Sequence, residues 1–150
     1  MSVTVRKLKT SDETEWRRLW RLYRKFYKSD VSEEIYQTLW ARLLSDDDTE
    51  FKCLVAEDGM GNLVGLTHYL FHRHCRYIEN VCYLQDLYVD KSVRGQGAGR
   101  ALIEAVYTAA DESGQARVYW QTQDFNTQAR YLYDQVASVT PFIVYQRNTA

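Results

Sequence analysis

Leu84-Gln85-Asp86-Leu87-Tyr88-Val89-Asp90-Lys91-Ser92-Val93-Arg94-Gly95-Gln96-Gly97-Ala98-Gly99-Arg100-Ala101-Leu102 reads as three pieces. They are a buried strand, a short basic turn rich in glycine, and the first turns of an amphipathic helix. Such a turn suits a phosphate. Gly95, Gly97 and Gly99 let the backbone approach an anion and adopt dihedrals that a side chain forbids. The helix start leaves N–H groups unpaired and carries the positive end of a dipole. Arg94 and Arg100 add full charges on either side.

Two common phosphate loops do not fit. A nucleotide P-loop needs Lys-Ser or Lys-Thr after its last glycine, and Gly99 is followed by Arg100-Ala101. A dinucleotide loop counted from Gly95 and Gly97 would need its third glycine at Arg100. What remains is Arg94-x-x-Gly97-x-Gly99 after a strand carrying Leu87-Tyr88-Val89.

Before that stretch, Val3, Val5 and Leu8 suggest a short strand. Thr10 and Glu13 have the spacing of a capping box. Trp16, Leu19, Trp20, Tyr23, Phe26 and Tyr27 follow at helical spacing. The first four read as core; Phe26 and Tyr27, near the helix end, are candidates for bordering a substrate. Ser32 caps a second helix carrying Ile35, Tyr36, Leu39, Trp40, Leu43 and Leu44 on one side. The acidic run from Ser45 to Glu50 reads as a solvated loop, or else a lure for a cationic substrate. Phe51–Glu57 and Leu63–Arg73 form a hairpin around Asp58-Gly59-Met60-Gly61-Asn62. His68, His72 and His74 share one strand face but are spread too far along it for a single metal ion. No metal site is expected, and His68 is either a polar residue of a half-exposed face or a neighbour of the substrate.

After it, a helix from Gly97 to Ser113 stops at Gly114. Val118-Tyr119-Trp120, extended by Gln121 and Thr122, forms a strand. Asn126 opens a last helix with Ala129, Leu132, Tyr133 and Val136, and Pro141 begins a final strand, Phe142–Tyr145. The order β-α-α-β-β-β-α-β-α-β implies an α/β (α+β) fold with a mixed sheet and helices on its faces.

The 150 residues suit one domain, 1–150, with a sizeable core. A net charge of -1 gives no overall field toward nucleic acid or an anionic membrane, so neither partner is expected. No apolar run is long enough to cross a bilayer, and residues 1–9 lack a signal-peptide core. Cys53, Cys75 and Cys82 read as buried free thiols of a reducing, cytoplasmic compartment.

The turn resembles the GNAT N-acetyltransferase superfamily, whose motif is Gln/Arg-x-x-Gly-x-Gly/Ala. A second signature of that superfamily, Asn-x-x-Ala-x-x-Leu-Tyr, is matched by Asn126 to Tyr133. Trp16 to Trp20, Leu87 to Asp90 and Val118 to Trp120 look like the small fungal and bacterial histone, polyamine and D-amino-acid acetyltransferases. The resemblance implies a central sheet of six to seven strands flanked by four helices. It implies acetyl-CoA as donor, with Arg94, Gly95, Gln96, Gly97, Ala98, Gly99 and Arg100 around the pyrophosphate, chiefly through backbone N–H groups. On that reading the side chains of Gln96 and Ala98 are replaceable, whereas Gly97 and Gly99 are not.

The pantetheine arm would pair with the strand at Leu87, Tyr88 and Val89, splayed from its neighbour, and Asn126 would bond it. Leu87 N–H would polarise the thioester carbonyl. Tyr133 would be the general acid; taken alone, it also reads as a rim tyrosine of an amphipathic helix. Asp86 is either the general base or a buried structural carboxylate. The acceptor implied is a small primary amine, a polyamine or amino acid. A protein lysine and a non-catalytic CoA-binding role are the alternatives. The apolar end at Phe142–Tyr145 suggests a homodimer. One departure is Ala137-Ser138, where the superfamily has a Gly-aromatic pair.

Overall fold

A computed structural model describes residues 2–149. The chain runs β1 (Thr4–Lys7), α1 (Glu13–Phe26), α2 (Glu33–Leu43), β2 (Lys52–Glu57), β3 (Leu63–His72), β4 (Val81–Val89), α3 (Ala98–Glu112), β5 (Val118–Tyr119) and α4 (Thr127–Val136). The five strands form one mixed sheet in chain order. All neighbours are antiparallel except β4 and β5, which are parallel because α3 crosses over between them.

Local chemistry sets most boundaries. Asp58 closes the β2–β3 hairpin by accepting from the N–H groups of Met60 and Asn62, both at 2.9 Å. Ser32 Oγ caps α2 by accepting from Ile35 N–H at 3.4 Å. The proposed box at Thr10 and Glu13 is replaced by a single 3-10 turn, Thr10–Asp12, that feeds α1 directly. Asp12 holds that corner. Its carboxylate accepts from Lys9 N–H at 2.7 Å and from both terminal nitrogens of Arg6.

The sheet separates two cores. On one face α3 packs Leu102, Ile103, Val106 and Ala110 onto Leu54, Tyr69, Phe71, Cys82 and Leu84. On the other, α1 and α2 pack Trp16, Leu19, Trp20 and Tyr36 onto Val55, Leu66 and Tyr88. Fully burying one such large apolar side chain contributes roughly 1.5–3 kcal/mol. Ile35 and Leu44, expected on the inner face of α2, are exposed. Cys53 and Cys82 are buried free thiols, but Cys75 is exposed.

The sheet has five strands rather than six to seven. Phe142–Tyr145 form no ladder and are 68–90% exposed. The outer edge of β5 is only two residues long, so it offers too short a template to hold a further strand.

β5 is short because β4 leaves it. Pairing covers Cys82 with Val118 and Tyr83 with Tyr119, then stops. An irregularity in β4 accompanies this. His68 faces Asp86 while Tyr69 faces Leu84, so Gln85 is an extra residue with no partner on β3. This is a β-bulge, and it reverses which face each later residue presents. Thr67 Oγ1 accommodates it by donating to Asp86 O at 2.8 Å. Cys82 and Leu84 face α3, and beyond the bulge so do Leu87 and Val89. Cys82 donates its N–H across to Arg117 O at 2.7 Å. Leu87 and Val89 share its orientation, so their N–H and C=O groups also point to the β5 side, where the strand partner has gone.

Candidate active site

The gap between β4 and β5 opens into a cleft of about 360 Å³. Leu87, Tyr88 and Val89 form one wall, Arg94, Gly95 and Gly97 to Arg100 the end, and Asn126, Leu132 and Tyr133 the other wall. Phe26 and Tyr27 border it from the end of α1.

The glycine turn takes a backbone shape that side chains resist. Gly95 and Gly97 have φ of 81° and 89°, and Gly97 is the N-cap of α3. Both lie in the left-handed region, where a Cβ is strained. Gly99 is constrained differently. A Cβ there would lie 3.3 Å from Leu132 Cδ2, so glycine keeps α3 against α4. Ala98 is buried, so a larger side chain there has to displace its neighbours. Arg94 is anchored by donating Nε–H to Val89 O at 3.0 Å and by lying over the rings of Tyr88 and Phe26. Arg100 pairs with Glu104 at 2.9 Å on the exposed surface of α3, where such a pair is easily exchanged for another anion.

Asn126 Oδ1 caps α4 by accepting from Ala129 N–H at 3.4 Å. This cap orients the helix that presents Tyr133 to the cleft. The Tyr133 ring packs edge-on to Trp120 at 5.4 Å, and burial pushes its hydroxyl up to about 12. The hydroxyl is therefore protonated at neutral pH.

Gln96, Asp86 and His68 are not part of the cleft wall. Asp86 and His68 line a second cavity of about 400 Å³ between α1, α2 and the bulge. Because Asp86 precedes Leu87 by one residue, its side chain points to the opposite face of the sheet. His68 is fully buried rather than half-exposed. Its Nε2 accepts from Trp16 Nε1–H at 2.9 Å, since an indole N–H only donates. The ring proton therefore sits on Nδ1, which donates to Asp86 Oδ2 at 2.9 Å. Trp20 Nε1–H donates to the same oxygen at 3.3 Å. Burial would raise the Asp86 carboxyl, but the hydrogen bonds of His68, Tyr23 and Trp20 hold it below the usual range. Tyr23 also lines the cleft, so its hydroxyl, within reach of Asp86, links the two cavities. Burial, then the Asp86 charge, raises the Tyr23 hydroxyl.

Spacing places Trp16, Trp20 and Tyr23 in the core, and Trp16 and Trp20 are buried there, but it does not show where their polar ends point. An aromatic stripe shows its burial in the sequence; the direction of an indole N–H becomes visible only with the facing strand. Among the described residues no group of three or more His, Cys, Asp or Glu is placed to hold a metal ion. No helix among them is long and apolar enough to cross a membrane.

Residues 16–137 match the model of the acetyltransferase (GNAT) family. The chain belongs to the GNAT acetyltransferases. The D-amino-acid N-acetyltransferase HPA3 of Saccharomyces cerevisiae is 37% identical to this GNAT enzyme over 146 residues, 97% of this chain and 91% of that protein. An uncharacterized N-acetyltransferase, YhfO of Bacillus subtilis, is 32% identical over 89% of this chain and 87% of its own. In fold, the enzyme is similar to AAC(6')-Iy, solved with a CoA-containing bisubstrate analogue. The TM-score is 0.83 at 17% identity, with 100% of both chains covered. This GNAT chain is accordingly an acyl-transferring enzyme, and the cleft, glycine turn and α4 all lie inside the matched region.

Proposed function

We propose that this GNAT enzyme, as one domain over residues 1–150, transfers acetyl from acetyl-CoA to the primary amine of a small acceptor, an amino acid or polyamine. The observation that carries the reading is the unpaired stretch of β4 at Leu87 and Val89, ending in the left-handed Gly95 and Gly97 turn. Bound acetyl-CoA supplies a thioester whose carbonyl carbon gains a C–N bond to the amine and loses its C–S bond. Backbone N–H groups of Gly97 to Arg100, with Arg94, hold the pyrophosphate at the start of α3. Leu87 N–H donates to the thioester oxygen as negative charge develops on it. Tyr133 gives its proton to the departing thiolate.

The amine must lose a proton to attack and a second as the amide forms. Asp86, ionised at neutral pH, receives the first, directly or through a water, and passes it to solvent; the second, lost as the amide forms, returns through water to the phenolate left on Tyr133. Asn126 also faces the pantetheine path. The amino-acid branch draws support from the relative named as acting on D-amino acids. The free thiols suit a reducing, cytoplasmic compartment. The exposed apolar segment Phe142–Tyr145 suits contact with a second copy.

Two measurements test this. Isothermal titration with acetyl-CoA is expected to show saturable binding. An acceptor screen read by free thiol release is expected to respond to small amines. Absence of binding, or of thiol release with every amine, would overturn the reading.

A further inference from the structure

The second cavity is walled by Arg24 and Trp20 of α1, Glu34 and Arg42 of α2, and Asp86 and His68 of the sheet. Its charges are of both signs and unequally satisfied. His68 and Trp20 engage Asp86. Arg24 has no ion pair to a carboxylate among the described residues. Its guanidinium lies over the Trp20 ring, 5.7 Å from the centroid, and one terminal nitrogen donates to Ser29. Its Nε is buried without any hydrogen-bond partner.

A buried donor without an acceptor is costly, so the Arg24 side chain gains by turning its fork toward an anion that enters the cavity. The guanidinium fork is planar and matches a carboxylate with two parallel N–H donors. The contact with the Trp20 ring restrains the side chain and so reduces the entropy lost on binding. Across the cavity, Asp86 offers a carboxylate one residue from Leu87, beside the proposed path of the thioester.

We propose that this cavity receives an acceptor bearing both an amine and a carboxylate, with Arg24 as the carboxylate receptor and Asp86 facing the amine. A polyamine can set its amines against Glu34 and Asp86 but brings no anion for Arg24. An α-amino acid satisfies both ends. This assignment rests on the acyl-transfer reading above and narrows its acceptor.

The test compares alanine, in both enantiomers, with alaninamide and spermidine, using acetyl-CoA and thiol release. The wild-type enzyme is expected to prefer one enantiomer of alanine over its amide by about 10- to 100-fold in kcat/KM, the range for a charge-assisted bidentate pair. Arg24→Gln is expected to bring that ratio near one through a higher KM for the acid. Arg24→Lys should restore part of it. Equal use of acid and amide by the wild type, or preference for spermidine, would overturn the assignment while leaving acyl transfer intact. So would an Arg24→Gln variant that loses acid and amide in equal proportion. If Arg24→Gln does not fold, the wild-type acid-to-amide ratio still decides. Failure of acetyl-CoA to bind at all would instead remove the acyl-transfer reading beneath it.

Discussion

Tyr133 and Asp86 face different cavities, and substitutions at the two should fail differently. Tyr133→Phe keeps the ring against Trp120 and removes only the proton. It is expected to lower kcat by about 10²- to 10⁴-fold with acetyl-CoA affinity retained. Stopped-flow kinetics and titration together check this; wild-type kcat in the variant would exclude the hydroxyl as acid. Burial pushes that hydroxyl up to about 12, so kcat is expected to show no alkaline fall from this group at pH 8–9, which a pH–rate profile checks.

Asp86 has the opposite displacement, below its ordinary 3.8. A carboxyl whose pKa is lowered by folding stabilises the fold fully above the unfolded value. That contribution drains as pH falls from about 4 toward the folded value. Thermal melts from pH 6 to 2 should therefore fall less steeply at the acid end for Asp86→Asn than for the wild type. Parallel curves would mean that other carboxylates, such as Asp12 beside Arg6, carry the acid sensitivity.

At the level of elements, the glycine turn separates backbone need from side-chain need. Gly97→Ala forces a side chain into φ 89° at the head of α3, at a cost on the order of 1–3 kcal/mol. The exposed Gln96→Ala should stay within about 0.5 kcal/mol of wild type. Urea denaturation of the two, beside acetyl-CoA affinity, would show whether the turn is set by the main chain. Equal stability for both variants would contradict the strained-cap account.

Most elements were legible because their signals are local. Ser32 and Asn126 cap the helices they were expected to cap, and Gly114 ends α3 with φ 72°. The bulge was not legible. A two-residue period read along Leu84 to Val89 contains no mark of an inserted residue; Gln85 is identified only by what β3 pairs with. The terminal strand failed for a related reason. Phe142–Tyr145 have strand composition, yet a strand also needs a partner edge, and β5 supplies two residues. The glycine turn at the end of the cleft was legible because its glycines and arginines lie in one run. The second cavity, the proposed acceptor site, is built from α1, α2 and two strands distant in sequence, and no spacing rule joins Arg24 to Asp86.

For the molecule as a whole, the exposed segment at 142–145 makes a prediction about mass. Light scattering is expected to give a dimer, and Phe142→Ser with Val144→Ser should shift it toward monomer. A monomeric wild type would assign these side chains to some other role.

The early end of the β4–β5 ladder has a further consequence. Leu87 and Val89 amides have no acceptor among the described residues, so they should exchange with deuterated solvent quickly although they lie within the sheet. A donor arm that pairs there would act as a borrowed strand, and slowed exchange at those two amides would report its arrival. Ligand binding and folding then draw on the same hydrogen bonds. The melting temperature should climb with acetyl-CoA concentration, by about 2.7 kcal/mol of added stability at a hundredfold excess over Kd. In the cell, the half-life of such a protein would follow the supply of its donor.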